Sequence, residues 1–196
     1  MLRIFVAWEC EQNGEVARFS PYLLEAGFGF ALSGTPPLDI TAGDVQFRLH
    51  GVIDRLDRDD AGNLRVLDYK SGSTTYSGPD LEKGLALQTV LYALAAEQYW
   101  AVENGQVAES LYWHIPSREA SGKLEFQGPV QDNARVEIAV QQAGLNVIRV
   151  RDGVFPSAPG KPAAGGSLCR SSCDFGPLCR VSRQSIRKAQ NAGVAS

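Results

Sequence analysis

The segment from Gly51 to Gly72 constrains the fold of this chain more than any other. Two extended runs, Gly51 to Asp57 and Leu64 to Lys70, flank the turn cluster Asp59-Asp60-Ala61-Gly62-Asn63. Gly, Asn and Asp readily adopt the backbone conformations of a tight reversal, so the segment reads as a β-hairpin centred on Ala61. Counting outward from Ala61 sets Asp54 opposite Asp68, seven residues to either side. Opposed side chains in an antiparallel pair have Cβ atoms about 4.5–5.5 Å apart, and like charges there destabilise the pairing. A divalent cation reverses that sign, because Mg²⁺ is held by one or two carboxylates, with phosphate oxygens and water completing its shell. Strand side chains alternate, so Lys70 shares a face with Asp68. An ammonium in that position orients or helps deprotonate an attacking water, and it stabilises charge on a phosphate. The set of groups suits phosphodiester hydrolysis with a divalent metal. Taken alone, an Asp-x-Lys strand reads more simply as a surface hairpin. Asp57, Asp59 and Asp60 read as turn and surface charges.

The hairpin sits in a chain that alternates between strand and helix patterns. Residues 15–34 read as helix or strand, and Gly34-Thr35-Pro36-Pro37 as a turn. Asp44 to His50 alternates, with Val45, Phe47 and Leu49 on one face, which predicts a strand. Residues 80–103 read as one long helix. Asp80 caps it after Pro79. Leu81, Leu85, Gln88, Tyr92, Ala95 and Tyr99 recur at three- and four-residue steps, and Asn104-Gly105 stops it. Val107 to Ile115 is a strand, with Lys123 to Gln127 as its partner. Asp132 to Arg151 is a second helix, weakened by Gly144. This order predicts an α/β domain with a central mixed sheet flanked by helices. With 196 residues, the chain is long enough for one sizeable core. No run of about 18 apolar residues occurs, which argues against a membrane span. The apolar stretch at the start is shorter than a signal-peptide core of about 7–15 residues, so a cytoplasmic setting is expected.

Three segments together resemble the RecB-like branch of the PD-(D/E)XK nucleases: Gly51-Val52-Ile53-Asp54-Arg55-Leu56-Asp57, Val66-Leu67-Asp68-Tyr69-Lys70-Ser71-Gly72 and Gln88-Thr89-Val90-Leu91-Tyr92. The family pattern is a Gly-x-x-Asp strand, an Asp-Tyr-Lys strand ending in Ser-Gly or Thr-Gly, and a Gln-x-x-x-Tyr helix. The resemblance implies a restriction-endonuclease-like core, with Asp54 and Asp68 binding Mg²⁺ or Mn²⁺ and Lys70 catalytic. It also implies that the Tyr69 carbonyl completes the metal shell. Gln88 and Tyr92 lie four residues apart on one helical face. By helix physics alone they are ordinary positions, whereas the resemblance implies that they contact DNA or steady the site. Phe19 to Gly29 looks like the family segment that delivers an acidic residue near the metal, and its candidate is Glu25. Many relatives carry a further upstream His ligand, and no His precedes Glu25 here. His50 and His114 read as structural.

The C-terminal part has a different character. Residues 1–160 carry 13 basic and 21 acidic groups, a net of −8, whereas residues 161–196 carry 6 basic and 1 acidic, a net of +5. A basic segment beside an acidic body suits a polyanionic partner, or is simply a solvated tail. Cys169-x-x-x-Cys173-x-x-x-x-x-Cys179 resembles the late part of the AddB-type iron–sulfur staple. That staple joins three late cysteines to an early one around a [4Fe–4S] cluster, and Cys10 is the candidate for the early ligand. A Zn²⁺ site and plain reduced cysteines are the alternatives. Arg170, Arg180, Arg183, Arg187 and Lys188 surround the cysteines and suit phosphate contacts.

The expected organisation is a nuclease core over residues 1–160, with the cysteine-containing basic segment 161–196 packed on it. The expected function is a metal-dependent DNA nuclease of repair or recombination, an exonuclease in preference to an endonuclease. It would act on single strands or duplex ends, in company with a helicase on the same or another chain. The alternative is an inactive DNA-binding or structural module that retains the fold. A zinc-binding adaptor explains the cysteines alone.

Overall fold

A computed structural model describes residues 18–72, 75–102 and 105–154. The chain divides into two compact units, residues 1–148 and 149–196, and the site lies in the first. Seven strands are formed: β1 Ser20–Phe28, β2 Leu38–Ala42, β3 Val45–Leu49, β4 Gly51–Arg58, β5 Leu64–Lys70, β6 Val107–His114 and β7 Glu119–Glu125. Three helices accompany them: α1 Gly78–Glu82, α2 Leu87–Trp100 and α3 Ala134–Arg151. A single 3₁₀ turn, Val130–Asp132, precedes α3.

The five-stranded sheet has the order β1-β4-β5-β6-β7, and β2 pairs with β3 separately. Only β5 and β6 run parallel, and their connection carries α1 and α2. The sheet is therefore mixed, as the alternation of strand and helix patterns predicts. Alanines make α2 fit closely: Ala93, Ala95 and Ala96 are fully buried beside Val90. Phe28 at the end of β1 packs its ring 6.2 Å from Tyr92, 6.2 Å from Tyr99 and 6.4 Å from Trp100. These contacts pin α2 over the sheet, which places Gln88 near the end of β5.

Several boundaries differ from the sequence reading. The predicted helix over 80–103 is two helices. Gly84 takes a left-handed φ of +73° between them, a conformation that ends helices. Leu85, expected on the buried stripe, is 60% exposed in this break. Ser77 is the N-cap of α1, and Asp80 lies three residues inside, where its carboxylate accepts from the Ser77 amide at 2.8 Å. Helix α2 ends at Trp100, before the Asn104-Gly105 stop. Strand β2 escapes the pattern reading, because Leu38 to Ala42 follows two prolines and is only five residues long. Strand β7 starts at Glu119, upstream of the expected Lys123. Residues 15–34, open between helix and strand, contain β1. Gly144 also acquires a reason. A Cβ there would lie 2.6 Å from Ala42 Cβ, so the glycine lets α3 approach β2.

Candidate active site

Strands β4 and β5 pair as Arg58 with Leu64, Asp57 with Arg65, Leu56 with Val66 and Arg55 with Leu67. This is the register counted outward from Ala61. Asp59 fixes it: its Oδ1 accepts from the amides of Ala61 at 3.0 Å and Asn63 at 2.8 Å. The next pair in the count is Asp54 with Asp68, and there the ladder ends. Asp54 Oδ2 instead accepts from the Tyr69 amide at 2.7 Å. A side-chain oxygen thus stands in for a strand carbonyl, and the ribbon forks. Strand β4 continues beside β1 as far as the Gly51–Phe28 pair, while β5 continues beside β6 as far as the Lys70–His114 pair. Ile53 and Leu56, three residues apart, are both fully buried in one core, so the two-residue alternation of β4 slips at Asp54 and Arg55. Strand β1 slips at the same level. Glu25 has a left-handed φ of 51° between Leu24, paired with Arg55, and Ala26, paired with Ile53.

Asp68 is 3% exposed. Lys70 Nζ lies 2.5 Å from its Oδ2, yet no hydrogen bond is directed at that oxygen. Burial pushes the carboxyl above the ordinary value of 3.8, Lys70 opposes the rise, and the nearby Asp54 charge adds to it. Lys70 Nζ also donates to Gln88 Oε1 at 2.8 Å and sits 4.8 Å from the centre of the Tyr112 ring. The Tyr112 hydroxyl is pushed up to about 12, mainly by burial, with Asp68 and Tyr76 contributing. It stays protonated at neutral pH, which removes it as a base.

These groups fit a hard divalent cation. A buried carboxylate oxygen that lacks a directed donor is costly, and its ionised form is disfavoured until a further positive charge arrives. Among the described residues, no three His, Cys, Asp or Glu side chains converge as a cage. That agrees with an ion held by one or two carboxylates and otherwise by water and substrate oxygens.

Asp54, Asp68, Tyr69, Lys70 and Gln88 are brought together. Glu25 stands one strand away, level with Asp54 and exposed. Tyr92 is not on the acids. Its ring carbon lies 3.0 Å from where a Gly51 Cβ would be, so it supports the turn of β4 and explains the glycine. His114 is structural, as expected. It is 1% exposed, with Nδ1 3.2 Å from the Gly72 carbonyl oxygen and Nε2 2.7 Å from Ser121 Oγ. It ties down the segment that follows Lys70. His50 stacks on Phe30 with ring centroids 4.7 Å apart. Cys10, Cys169, Cys173 and Cys179 lie outside the described residues.

Asp57 corrects the sequence reading. Expected as a surface charge, it is fully buried and paired with Arg55 and Arg65. The available signal was register: the hairpin count that opposes Asp54 and Asp68 also opposes Asp57 and Arg65.

A family model described as the PD-(D/E)XK nuclease superfamily matches residues 1–180. The mixed sheet flanked by helices is the restriction-endonuclease-like fold of that superfamily. Among curated proteins, the chain resembles bacterial proteins named as the AddB-type component of an ATP-dependent helicase/deoxyribonuclease. It is 35% identical to that of Lysinibacillus sphaericus over 113 residues, which is 53% of this chain and 10% of the relative. It is 31% identical to that of Symbiobacterium thermophilum over 173 residues, 72% of this chain and 14% of the relative. With the Exiguobacterium sibiricum protein, identity is 33% over 153 residues, 67% of this chain and 13% of the relative. The chain thus spans about a tenth of the length of such relatives. No helix among the described residues is long and apolar enough to cross a membrane.

Proposed function

From the premise that this chain belongs to the PD-(D/E)XK nuclease superfamily, we propose that it is a divalent-metal-dependent deoxyribonuclease that hydrolyses phosphodiester bonds in DNA. The supporting observation is the fork at which Asp54 and Asp68 meet beside Lys70. Asp68, Asp54 and the Tyr69 carbonyl hold Mg²⁺ or Mn²⁺. When bound, the ion supplies positive charge at the scissile phosphate and eases loss of a proton from the attacking water. Lys70 orients that water and stabilises charge growing on the phosphate oxygens. Gln88 keeps the Lys70 ammonium in place through its 2.8 Å contact. Glu25 serves as a further acid reached through solvent at the level of Asp54, and Tyr92 steadies the backbone before it.

The names of the relatives support a setting beside a helicase, with single-stranded DNA or duplex ends as substrate. We place the activity in repair or recombination, as an exonuclease in the cytoplasm. Its basic segment 161–196 contacts phosphates, and Cys169, Cys173 and Cys179 hold a [4Fe–4S] cluster, with Cys10 as the fourth ligand. The test is cleavage of linear single-stranded DNA with Mg²⁺ by the purified chain. Asp68→Ala and Lys70→Ala are each expected to lower the rate by roughly 10²–10⁴-fold. Equal cleavage by wild type and both variants rejects the site.

A further inference from the structure

Behind the acids, the opposite face of the same ribbon carries a buried run of charges. Arg55 Nε and Nη2 donate to Asp57 Oδ1 and Oδ2 at 2.5 and 3.2 Å. Arg65 Nε and Nη2 donate to Asp57 Oδ2 at 3.1 and 2.5 Å. The run continues through Arg65 to Glu109, 3.7 Å away, and from Glu109 to Lys123 at 2.8 Å. It therefore crosses β4, β5, β6 and β7. One end reaches the site: Arg55 Nη1 donates to the Tyr69 hydroxyl at 3.0 Å.

Tyr69 lies between Asp68 and Lys70, beyond the last β4–β5 pair. Its stretch of β5 has therefore lost one neighbouring strand. Two contacts replace that strand. The Tyr69 amide is held by Asp54 and its phenol by Arg55. Arg55 is itself fixed, because a guanidinium fork bound to a carboxylate by two hydrogen bonds has one orientation, and Asp57 is immobile in the core.

We propose that Arg55 and the Tyr69 hydroxyl are positioning groups for the metal site: Asp57 fixes Arg55, Arg55 tethers Tyr69, and the tether sets the Asp68 carboxylate and the Tyr69 carbonyl at the spacing a divalent cation requires. The inference rests on the nuclease reading. Hydrogen-bonding groups one layer behind metal ligands typically contribute about 10–100-fold in metal affinity.

Mn²⁺ binding to the full metal-free chain, measured by calorimetry, tests the tether without depending on turnover. Asp57 is a poor probe, since its removal strands two arginines and endangers the fold. Tyr69→Phe removes one oxygen atom and keeps the ring. It is expected to weaken Mn²⁺ binding about tenfold, with a melting temperature close to that of the wild type. Arg55→Lys is expected to weaken binding similarly in the wild type and little further in Tyr69→Phe, because both act through one contact. A purely structural contact would lower the melting temperature and leave Mn²⁺ affinity within about twofold of wild type. That result in Tyr69→Phe, with binding lost in Asp68→Ala, overturns the tether alone. If Asp68→Ala binds Mn²⁺ as the wild type does, the nuclease reading fails and the tether with it.

Discussion

The two faces of the β4–β5 ribbon use the same residue types to opposite ends. On one face Asp57 is fully buried and takes four hydrogen bonds from Arg55 and Arg65. On the other, Asp68 is 3% exposed, has Lys70 as its ion-pair partner, and keeps an oxygen that no donor addresses. The polar groups of the first face are matched within the chain. The second keeps an acid whose charged form is disfavoured, which leaves room for an external cation. The lesson is that burial of a carboxylate does not by itself identify a site. What distinguishes a structural acid from a binding one is whether its lone pairs are already taken.

The comparison predicts opposite signs for removing the two charges. Asp57→Ala strands Arg55 and Arg65 and is expected to cost about 3–5 kcal/mol in urea unfolding. A loss below about 1 kcal/mol, the scale of an exposed pair, would break the contrast. Asp68→Asn is expected to stabilise the metal-free protein by about 0.5–2 kcal/mol while lowering cleavage. The sign follows from its raised carboxyl. Proton binding favours the folded state, so the stabilising contribution is complete below the ordinary 3.8 and is lost as pH rises through the folded value. The advantage of Asp68→Asn in thermal melts should therefore appear at neutral pH and close in acid. An equal shift at every pH would contradict it.

The turn joining the two faces gives a smaller effect. Asp59→Ala removes three hydrogen bonds, to the Ala61 amide and to the Asn63 amide and side chain, and should cost about 1 kcal/mol. Burial works against the Asp59 charge, but those bonds and Arg18 hold its carboxyl below 3.8. Its contribution is present above 3.8 and is lost as pH falls through the lower folded value. Chemical denaturation at pH 7 and in acid should show the penalty of Asp59→Ala shrinking in acid. The smallest effect is at Glu25, whose left-handed backbone strains any residue with a Cβ. Glu25→Gly should leave stability unchanged or raise it by up to about 1 kcal/mol. A marked loss in melting temperature would mean that the side chain, and not the backbone, holds the fork together.

Local rules make much of this legible in the sequence. The turn chemistry of Asp59 to Asn63 and the strand alternation around it fix a register that brings Asp54, Asp68 and Lys70 together from residue order alone. Other features arise from tertiary context. The break at Gly84 interrupts a helical periodicity that runs through it, and only the φ of +73° reveals it. The burial of Asp57 depends on which residues cover the second face, which no local pattern encodes. Strand β2 is five residues between prolines and a glycine, too short to separate from loop by pattern. The role of Tyr92 shows only in three dimensions, where Gly51 lies beneath its ring.

The loop between β4 and β5 works as a measuring device. Because consecutive strand residues point to opposite sides, one residue inserted between Arg58 and Leu64 would turn every downstream side chain over. Asp68 would then meet the arginine layer and Tyr69 the metal pocket, with composition and net charge almost unchanged. Tolerance to mutation should therefore be uneven around Ala61: substitutions absorbed, changes of length rejected.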